Sequence, residues 1–303
     1  MTKRLTPLQY MRKLLRSLFQ LRAFSHRARG RIPLDILFKC RRRRLIDEVS
    51  AGWKGGYVLQ DDGFFIYVPR ELDTNGLDLL TRAIANEPVI AHHCPAGGVA
   101  LDVGAHLGIW TLPMARAVGE TGRVHAFEPI PFLNEALHKT ALANGLGQIV
   151  LDGRALGVAA GSSDFTILDG GHGRGNQGMS GLGERPGGGA AIRVEVTTLD
   201  VFAEERKLRR LDFLKIDVEG FEDQVLAGGR NTLGRFHPTI VFETGNEDRG
   251  QRLAIRDTLR PLNYRLLGIP IEHGIVEADW DAFVECAAPF TPTYFCNVLC
   301  VAE

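Results

Sequence analysis

Cysteine is scarce in this chain and poorly placed for cross-linking. The five residues, Cys40, Cys94, Cys286, Cys296 and Cys300, are odd in number, scattered and free of any CxxC pair. A disulfide framework or a zinc site is therefore disfavoured, and a reducing, cytoplasmic setting fits best. Long apolar runs are also missing. The longest charge-free stretch, Cys286 to Ala302, is broken by Pro289, Pro292 and Asn297 and falls short of the roughly 20 apolar residues that a spanning helix needs. At the N-terminus Lys3, Arg4, Arg12, Lys13 and Arg16 interrupt the hydrophobic residues, leaving no apolar core for a secretory signal. No internal period of roughly 20–50 residues stands out, which argues against a solenoid. Net charge is absent as well, since 36 Lys and Arg balance 36 Asp and Glu, and a wholly nucleic-acid-binding protein is thereby excluded. What is present is a globular composition, 45% hydrophobic over 303 residues, enough for one large domain or two small ones.

The zero net charge conceals a segregation. Residues 1–44 carry 14 Lys or Arg against the single acid Asp35, which leaves 22 bases against 35 acids in the remainder. From Leu8 to Phe24, Leu8, Met11, Leu15 and Leu18 recur at helical spacing while Arg12, Lys13, Arg16 and Arg22 take the other side. The pattern predicts a basic amphipathic helical arm, with Arg41 to Arg44 following, that ends near residue 50. Such an arm either lies on the anionic inner membrane surface as a peripheral contact or packs its stripe on the body or a partner.

Residues 51–98 read as a lead-in to the core. Tyr57 to Gln60 and Phe64 to Val68 have strand character and flank Asp61-Asp62-Gly63, the signature of a small β-hairpin, and Asp78 to Asn86 look helical. From residue 99 to 303 strands alternate with helices: Ala100 to Val103, a helix to Val118, Val124 to Phe127, a helix over Leu133 to Asn144, then Ile149 to Leu151 leading into Ala155. Alternation of this kind predicts a parallel sheet wrapped by helices. Phe165 to Leu168 and Ile192 to Val196 look like an added strand pair around residues 170–189, ten of which are glycine. That tract reads as a mobile loop, either a lid or a surface insertion. Asp212 to Asp217, a helix over Glu222 to Gly228 and Thr239 to Glu243 resume the alternation, and Tyr264 to Ile269 with Cys296 to Val301 would close the sheet, antiparallel at its edge.

The most informative stretch is Val99-Ala-Leu-Asp-Val-Gly-Ala-His-Leu-Gly-Ile-Trp110, an apolar strand that ends in DVGAHLG and opens into a helix. Asp102 stands at the strand's carboxyl end, where open α/β sheets bind ligands. Gly104 and Gly108 suit a sharp turn close to a ligand. Glu128 ends the next strand, about 20 residues beyond the loop, where an acid can accept hydrogen bonds from both ribose hydroxyls of an adenosine-containing cofactor. It could equally cap the helix that starts after Pro129. A dinucleotide fingerprint needs GxGxxG, and here His106 stands at its second glycine. A NAD-dependent oxidoreductase is thus the lesser alternative, and a cofactor without a pyrophosphate, S-adenosylmethionine, is favoured.

The second constellation is Asp212-Phe-Leu-Lys-Ile-Asp-Val-Glu-Gly220, a strand running out into Asp217 and Glu219. Glu243 closes the following strand in the same way. Carboxylates gathered in a cleft raise one another's pKa, and one of them can act as a general base toward a hydroxyl. Asp217 is the first candidate base and His106 the second; Glu219 either joins the chemistry or caps a helix. Lys215 alternates onto the side of Asp217 and would pair with an acid there. A divalent ion between Asp217 and Glu243 is a lesser possibility, and no metal is assigned. His92, His93 and His237 have no ligand spacing and read as structural.

DVGAHLG, HAFEP, an asparagine-bearing helix (Asn144), ALG at 155–157, VTTLD at 196–200, FLKIDVEGFEDQVLAGG at 213–229 and PTIVFE at 238–243 together resemble the FkbM-like family of S-adenosylmethionine-dependent methyltransferases. The resemblance covers about residues 99–245. It implies an α/β class I methyltransferase (Rossmann-like) fold, a mostly parallel sheet with helices on both faces, here preceded by the basic arm and the hairpin. It also implies O-methylation of a hydroxyl on a sugar, glycolipid or polyketide-type natural product. By the same resemblance Asp102, Gly104 and Gly108 would hold the methionine part of the cofactor, with Ala105 and His106 beside them on the cofactor-binding loop. Glu128 would hold the ribose, and Asp217 and Glu219 the cofactor's amino end or the acceptor. His106 stands where relatives often carry asparagine. The partner expected is a small-molecule or glycan hydroxyl acceptor, with no nucleic acid; a non-catalytic, methyltransferase-like adaptor working through its basic arm is the other alternative.

Overall fold

The computed structural model describes residues 53–60, 62–70, 88–167, 181–182, 190–245, 247–271, 274–285 and 296–303. The basic arm, the helix expected over residues 78–86 and most of the glycine-rich tract lie outside them. The chain divides into two compact units, Met1–Ile84 with Asp169–Gln177, and Ala85–Leu168 with Gly178–Glu303.

The first unit contains the hairpin, β1 (Gly56–Leu59) paired antiparallel with β2 (Phe65–Val68). Gly63 sits at φ +92° in its turn, and the Asp62 carboxylate accepts from Phe64 N. Val58, Ile66 and Val68 are buried on one face.

The second unit is built on an eight-stranded sheet. Its strands are β3 (Val99–Val103), β4 (Arg123–Phe127), β5 (Ile149–Asp152), β10 (Phe213–Ile216), β11 (Thr239–Thr244), β12 (Tyr264–Ile271), β13 (Gly274–Glu277) and β14 (Cys296–Ala302), in the order β13-β12-β14-β11-β10-β3-β4-β5. The five strands from β11 to β5 are parallel. This is the mostly parallel, Rossmann-like sheet that the resemblance implies. The chain runs outward from β3 to β5 and then returns to place β10 on the other side of β3. The switch point, where such sheets bind ligands, therefore lies between the carboxyl ends of β3 and β10.

Strand alternation sorts side chains onto two faces. Ala100, Val124, Phe213, Val241 and Leu299 pack with Val89 and Ile90 of α1 (Pro88–His93) and with Met114, Ala115 and Val118 of α2 (Thr111–Val118). Ala126 on the same face packs with Leu137 of α3 (Pro131–Ala143). Leu101, Val103, Phe127, Leu214, Ile216, Ile240, Phe242 and Val298 turn to the opposite face. There they meet α4 (Leu199–Glu205), α5 (Glu222–Ala227), α6 (Arg230–Phe236), α7 (Arg249–Leu259) and α8 (Trp280–Glu285). Such strands read as near-continuous apolar runs because both faces are covered.

Four short strands, β6 (Ala155–Leu156), β7 (Gly161–Ile167), β8 (Gly181–Leu182) and β9 (Ala190–Thr197), form a second sheet in the order β6-β9-β7-β8. The added strand pair is thus β7 and β9, antiparallel and longer than their apolar residues suggested. Gly181 and Leu182 of the glycine-rich tract add the short β8.

The two last apolar runs, β12 and β14, close that end of the sheet antiparallel as expected, with β14 against β11 and β12 against β14; beyond them lies one further antiparallel strand, β13, at the edge itself. The tetrapeptide Gly274–Glu277 is exposed throughout, Ile275 and Val276 included, and two apolar residues between a glycine and a glutamate are too short a run to announce a strand.

Candidate active site

Two loops meet at the switch point. The first leaves β3. Gly104 N and Ala105 N both donate to Phe127 O, and His106 N donates to Glu128 Oε2 at 2.8 Å, so the loop is strung onto the end of β4. Gly104 lies at φ +85°, and a Cβ there would sit 1.8 Å from Asp217 O. Glycine is required because the chain backbone of the second loop touches it. Gly108, at φ +90°, leaves room for Leu137, 2.6 Å from where its Cβ would be. His106 has φ +49°, a region in which histidine and asparagine are tolerated better than most residues.

Asp102 is buried beneath this loop. Thr111 Oγ1 donates to Asp102 Oδ2 at 2.5 Å, so the carboxylate pins the first residue of α2 to β3. Burial pushes Asp102 up to about 7, against the Thr111 hydrogen bond and the Lys215 charge. Glu128 is equally buried, and burial raises it too, against the His106 charge and two backbone hydrogen bonds. Its Oε1 accepts from Ile130 N at 2.9 Å. Glu128 therefore does cap α3, as an acid ahead of Pro129 can, and through Oε2 it also holds the first loop. Each oxygen retains lone-pair capacity for a further donor. Asn134 of α3 donates to Glu128 O at 3.1 Å, fixing the strand end. Asn144 ends α3 by donating to Thr140 O at 2.7 Å, which is a structural role.

The second loop leaves β10. Lys215 is wholly buried, and its Nζ lies 3.2 Å from Asp217 Oδ2, donates to Ile216 O at 3.1 Å and stands 5.1 Å from the centre of the Trp110 ring. The expected ion pair is therefore present. Register explains the gathering: Lys215 pairs with Asp102 on β3 and with Val241 on β11, so Asp102, Lys215 and Glu243 all project from the face that carries α1 to α3. Carboxylate oxygens of Asp217, Glu219 and Glu243 come within 4.8 Å of one another. That spacing is compatible with a divalent cation, and the Lys215 ammonium already faces Asp217 there. Burial first, then the Asp217 charge and more weakly that of Glu219, push Glu243 far above the ordinary carboxylate range, against the Lys215 charge. The neutral form of Glu243 is thereby favoured.

Two residues that the sequence reading passed over organise this second loop. Glu222 Oε1 accepts from Val218 N at 3.0 Å and its Oε2 from Gly220 N at 2.9 Å. Gln251 of α7 donates to Gly220 O at 2.7 Å. Glu222 lies within the motif stretch 213–229, five residues after Asp217, so a signal existed; Gln251 is 31 residues from its partner and left none.

The structure thus brings together Asp217, Glu219, Glu243 and Lys215, and sets the Gly104 loop against them. Glu128 stands on the β4 side of that loop, and Asp102 acts below it. The first loop can receive an adenosine group on the β4 side, and the acid cluster can receive a cationic or hydroxylated group on the β10 side.

The chain is similar to several known proteins. The model of the methyltransferase FkbM domain matches residues 102–266. A methyltransferase of Sordaria araneosa, sdnD, is 28% identical over 187 residues, covering 52% of this chain and 72% of that protein. Among solved structures, a methyltransferase FkbM from Methylobacillus flagellatus KT overlaps 66% of this chain at 14% identity and a TM-score of 0.42, and the overlap spans 43% of that protein. A SAM-dependent methyltransferase from Aquifex aeolicus overlaps 72% of this chain and 89% of its own at 11% identity and a TM-score of 0.37. The family match speaks against the oxidoreductase alternative. With its matched region running from the acid beneath the first loop to the antiparallel strand β12, the chain belongs to the FkbM methyltransferase domain family.

Proposed function

We propose that this protein transfers a methyl group from S-adenosylmethionine to a hydroxyl oxygen of a sugar, glycolipid or polyketide-type acceptor. The observation that carries the reading is the cluster of Asp217, Glu219 and Glu243 at the carboxyl ends of β10 and β11, beside the Gly104 loop. Carboxylates suit both the amino end of that cofactor and an acceptor hydroxyl. Glu128, at the end of β4, has oxygens suited to a ribose diol. The fit therefore rests on the chemistry of the donor set.

When bound, the cofactor supplies an electrophilic methyl group on a good sulfonium leaving group, so the protein's own work is orientation and proton removal. Glu128 would orient the ribose while the backbone of Gly104, Ala105, His106 and Gly108 shapes the adjoining wall. Asp102 would act on that wall from below, through Thr111. Asp217 is the first candidate for taking the acceptor proton, with His106 second, and Glu219 would hold the acceptor or the amino end. The 14 basic residues among the first 44 support peripheral docking on anionic lipid, which would bring the body to a membrane-borne acceptor. Among the described residues no helix is long and apolar enough to cross a membrane.

The test combines the purified full chain, methyl-labelled S-adenosylmethionine and a glycolipid extract. Label is expected in an alkali-stable ether product. Asp217→Asn should lower turnover by roughly 100-fold or more, the scale of a lost general base. Tight binding of a nicotinamide cofactor with no binding of S-adenosylmethionine would overturn the reading. No transfer together with arm-dependent liposome binding would favour the adaptor.

A further inference from the structure

Glu219 is the one acid of the cluster whose backbone is strained. It lies at φ +56°, the left-handed region that costs a non-glycine residue free energy unless its surroundings impose it. The surroundings here are specific. The amides on either side of Glu219, those of Val218 and Gly220, both donate to the single buried carboxylate of Glu222. The carbonyl of Gly220 is held from outside the loop by Gln251 Nε2. The same Gln251 side chain accepts through Oε1 from Asp248 N at 3.0 Å, completing the capping box that starts α7. One amide group thus links the loop bearing Glu219 to the start of the helix that follows β11, the strand bearing Glu243.

We infer that Glu222 and Gln251 are positioning residues: a two-point brace that forces Glu219 into the left-handed conformation and so delivers its carboxylate to Asp217 and Glu243. Neither touches the cluster's reacting groups; both act through the backbone of residues 218–220. The brace rests on hydrogen bonds alone, and its role in turnover rests on the proposed methyl transfer. The two are separable by experiment.

The test is a double-mutant cycle on the full chain using Glu219→Gly, Glu222→Ala and their combination, with Gln251→Ala as a second arm. Glycine at 219 adopts the left-handed conformation freely, so no strain is stored there for loss of the brace to release. The denaturant midpoint should fall on Glu222→Ala in both backgrounds, and fall further in the Glu219→Gly background, because only the native chain regains the strain energy when the brace goes. Equal falls in both backgrounds would overturn the brace, whatever reaction the protein catalyses. For kcat, Glu219→Gly and Glu222→Ala should each cost at least 10-fold, and the double variant should be no worse than the poorer single one. Gln251→Ala should lower kcat less, with the cofactor Kd unchanged. Losses in kcat that multiply in the double variant would overturn the assignment to positioning and make Glu222 a separate contributor.

Discussion

The two loops at the switch point arrive at the same place by opposite means. The loop after β3 is made of residues that accept its turns, two glycines at positive φ and a histidine at φ +49°, and its amides bond to the neighbouring strand end. The loop after β10 keeps a non-glycine residue at φ +56°, whose carboxylate joins the acid cluster, and it holds that residue by side chains from α5 and α7. The first loop avoids strain by composition; the second tolerates it through tertiary bracing. Where the backbone itself forms the wall, glycine suffices. Where a side chain has to be presented, the strain is accepted and opposed elsewhere.

The largest expected effect tests the first half of this comparison. Gly104→Ala places a methyl group 1.8 Å from Asp217 O at φ +85°, and neither loop's backbone can retreat without losing its hydrogen bonds. The cost should be on the order of 3–5 kcal/mol, read as a lowered denaturant midpoint or as insoluble protein. A variant that loses less than about 1 kcal/mol would show that the loops are not in fixed contact.

The next effect concerns the acid below the first loop. Burial raises Asp102 from 3.8 to about 7, so between those values the folded state holds a proton that the unfolded chain has released. The corresponding stability is present at low pH and is lost as pH rises through about 7. Asp102→Asn keeps an acceptor for Thr111 and removes the titration. The melting temperature of the variant minus that of the native protein should be more positive at pH 8 than at pH 4, by a few degrees at about 2–4 °C per kcal/mol. A difference independent of pH would mean that Asp102 titrates normally.

The smallest effect has the opposite sign and tests the second half. Glu219→Gly relieves the left-handed strain and should raise stability by up to about 1 kcal/mol, while removing the carboxylate from the cluster. Differential scanning calorimetry that finds the variant less stable would show that the Glu219 side chain supports the fold more than its backbone strains it.

Much of this architecture was legible because it is local. DVGAHLG announced a strand that turns sharply into a helix, and β3 with α2 follows that pattern. Alternation placed Lys215 on the side of Asp217, and the ion pair is there. The small sheet was legible only in outline, since β7 carries four exposed or half-buried residues, Gly161 to Asp164, ahead of its buried pair. Helix α7 was missed because its buried residues are few, Ile255, Thr258 and Leu259, and polar residues mask the period. Glu222 was within the motif and unread, since an acid at the start of a helix has an ordinary explanation.

The sequence by itself determined the parallel α/β class, the two loops, their acids and the family, because glycine spacing, strand alternation and apolar runs act over a few residues at a time. Only the tertiary structure decided that Gly104 is glycine for the sake of Asp217 O, that Glu128 serves the first loop and α3 together, and that Gln251 ties α7 to Gly220. Each of these joins groups at least 20 residues apart or assigns one side chain two partners. Such contacts follow from strand order and register, which bring distant strand ends side by side and leave no trace in the spacing of residues along the chain.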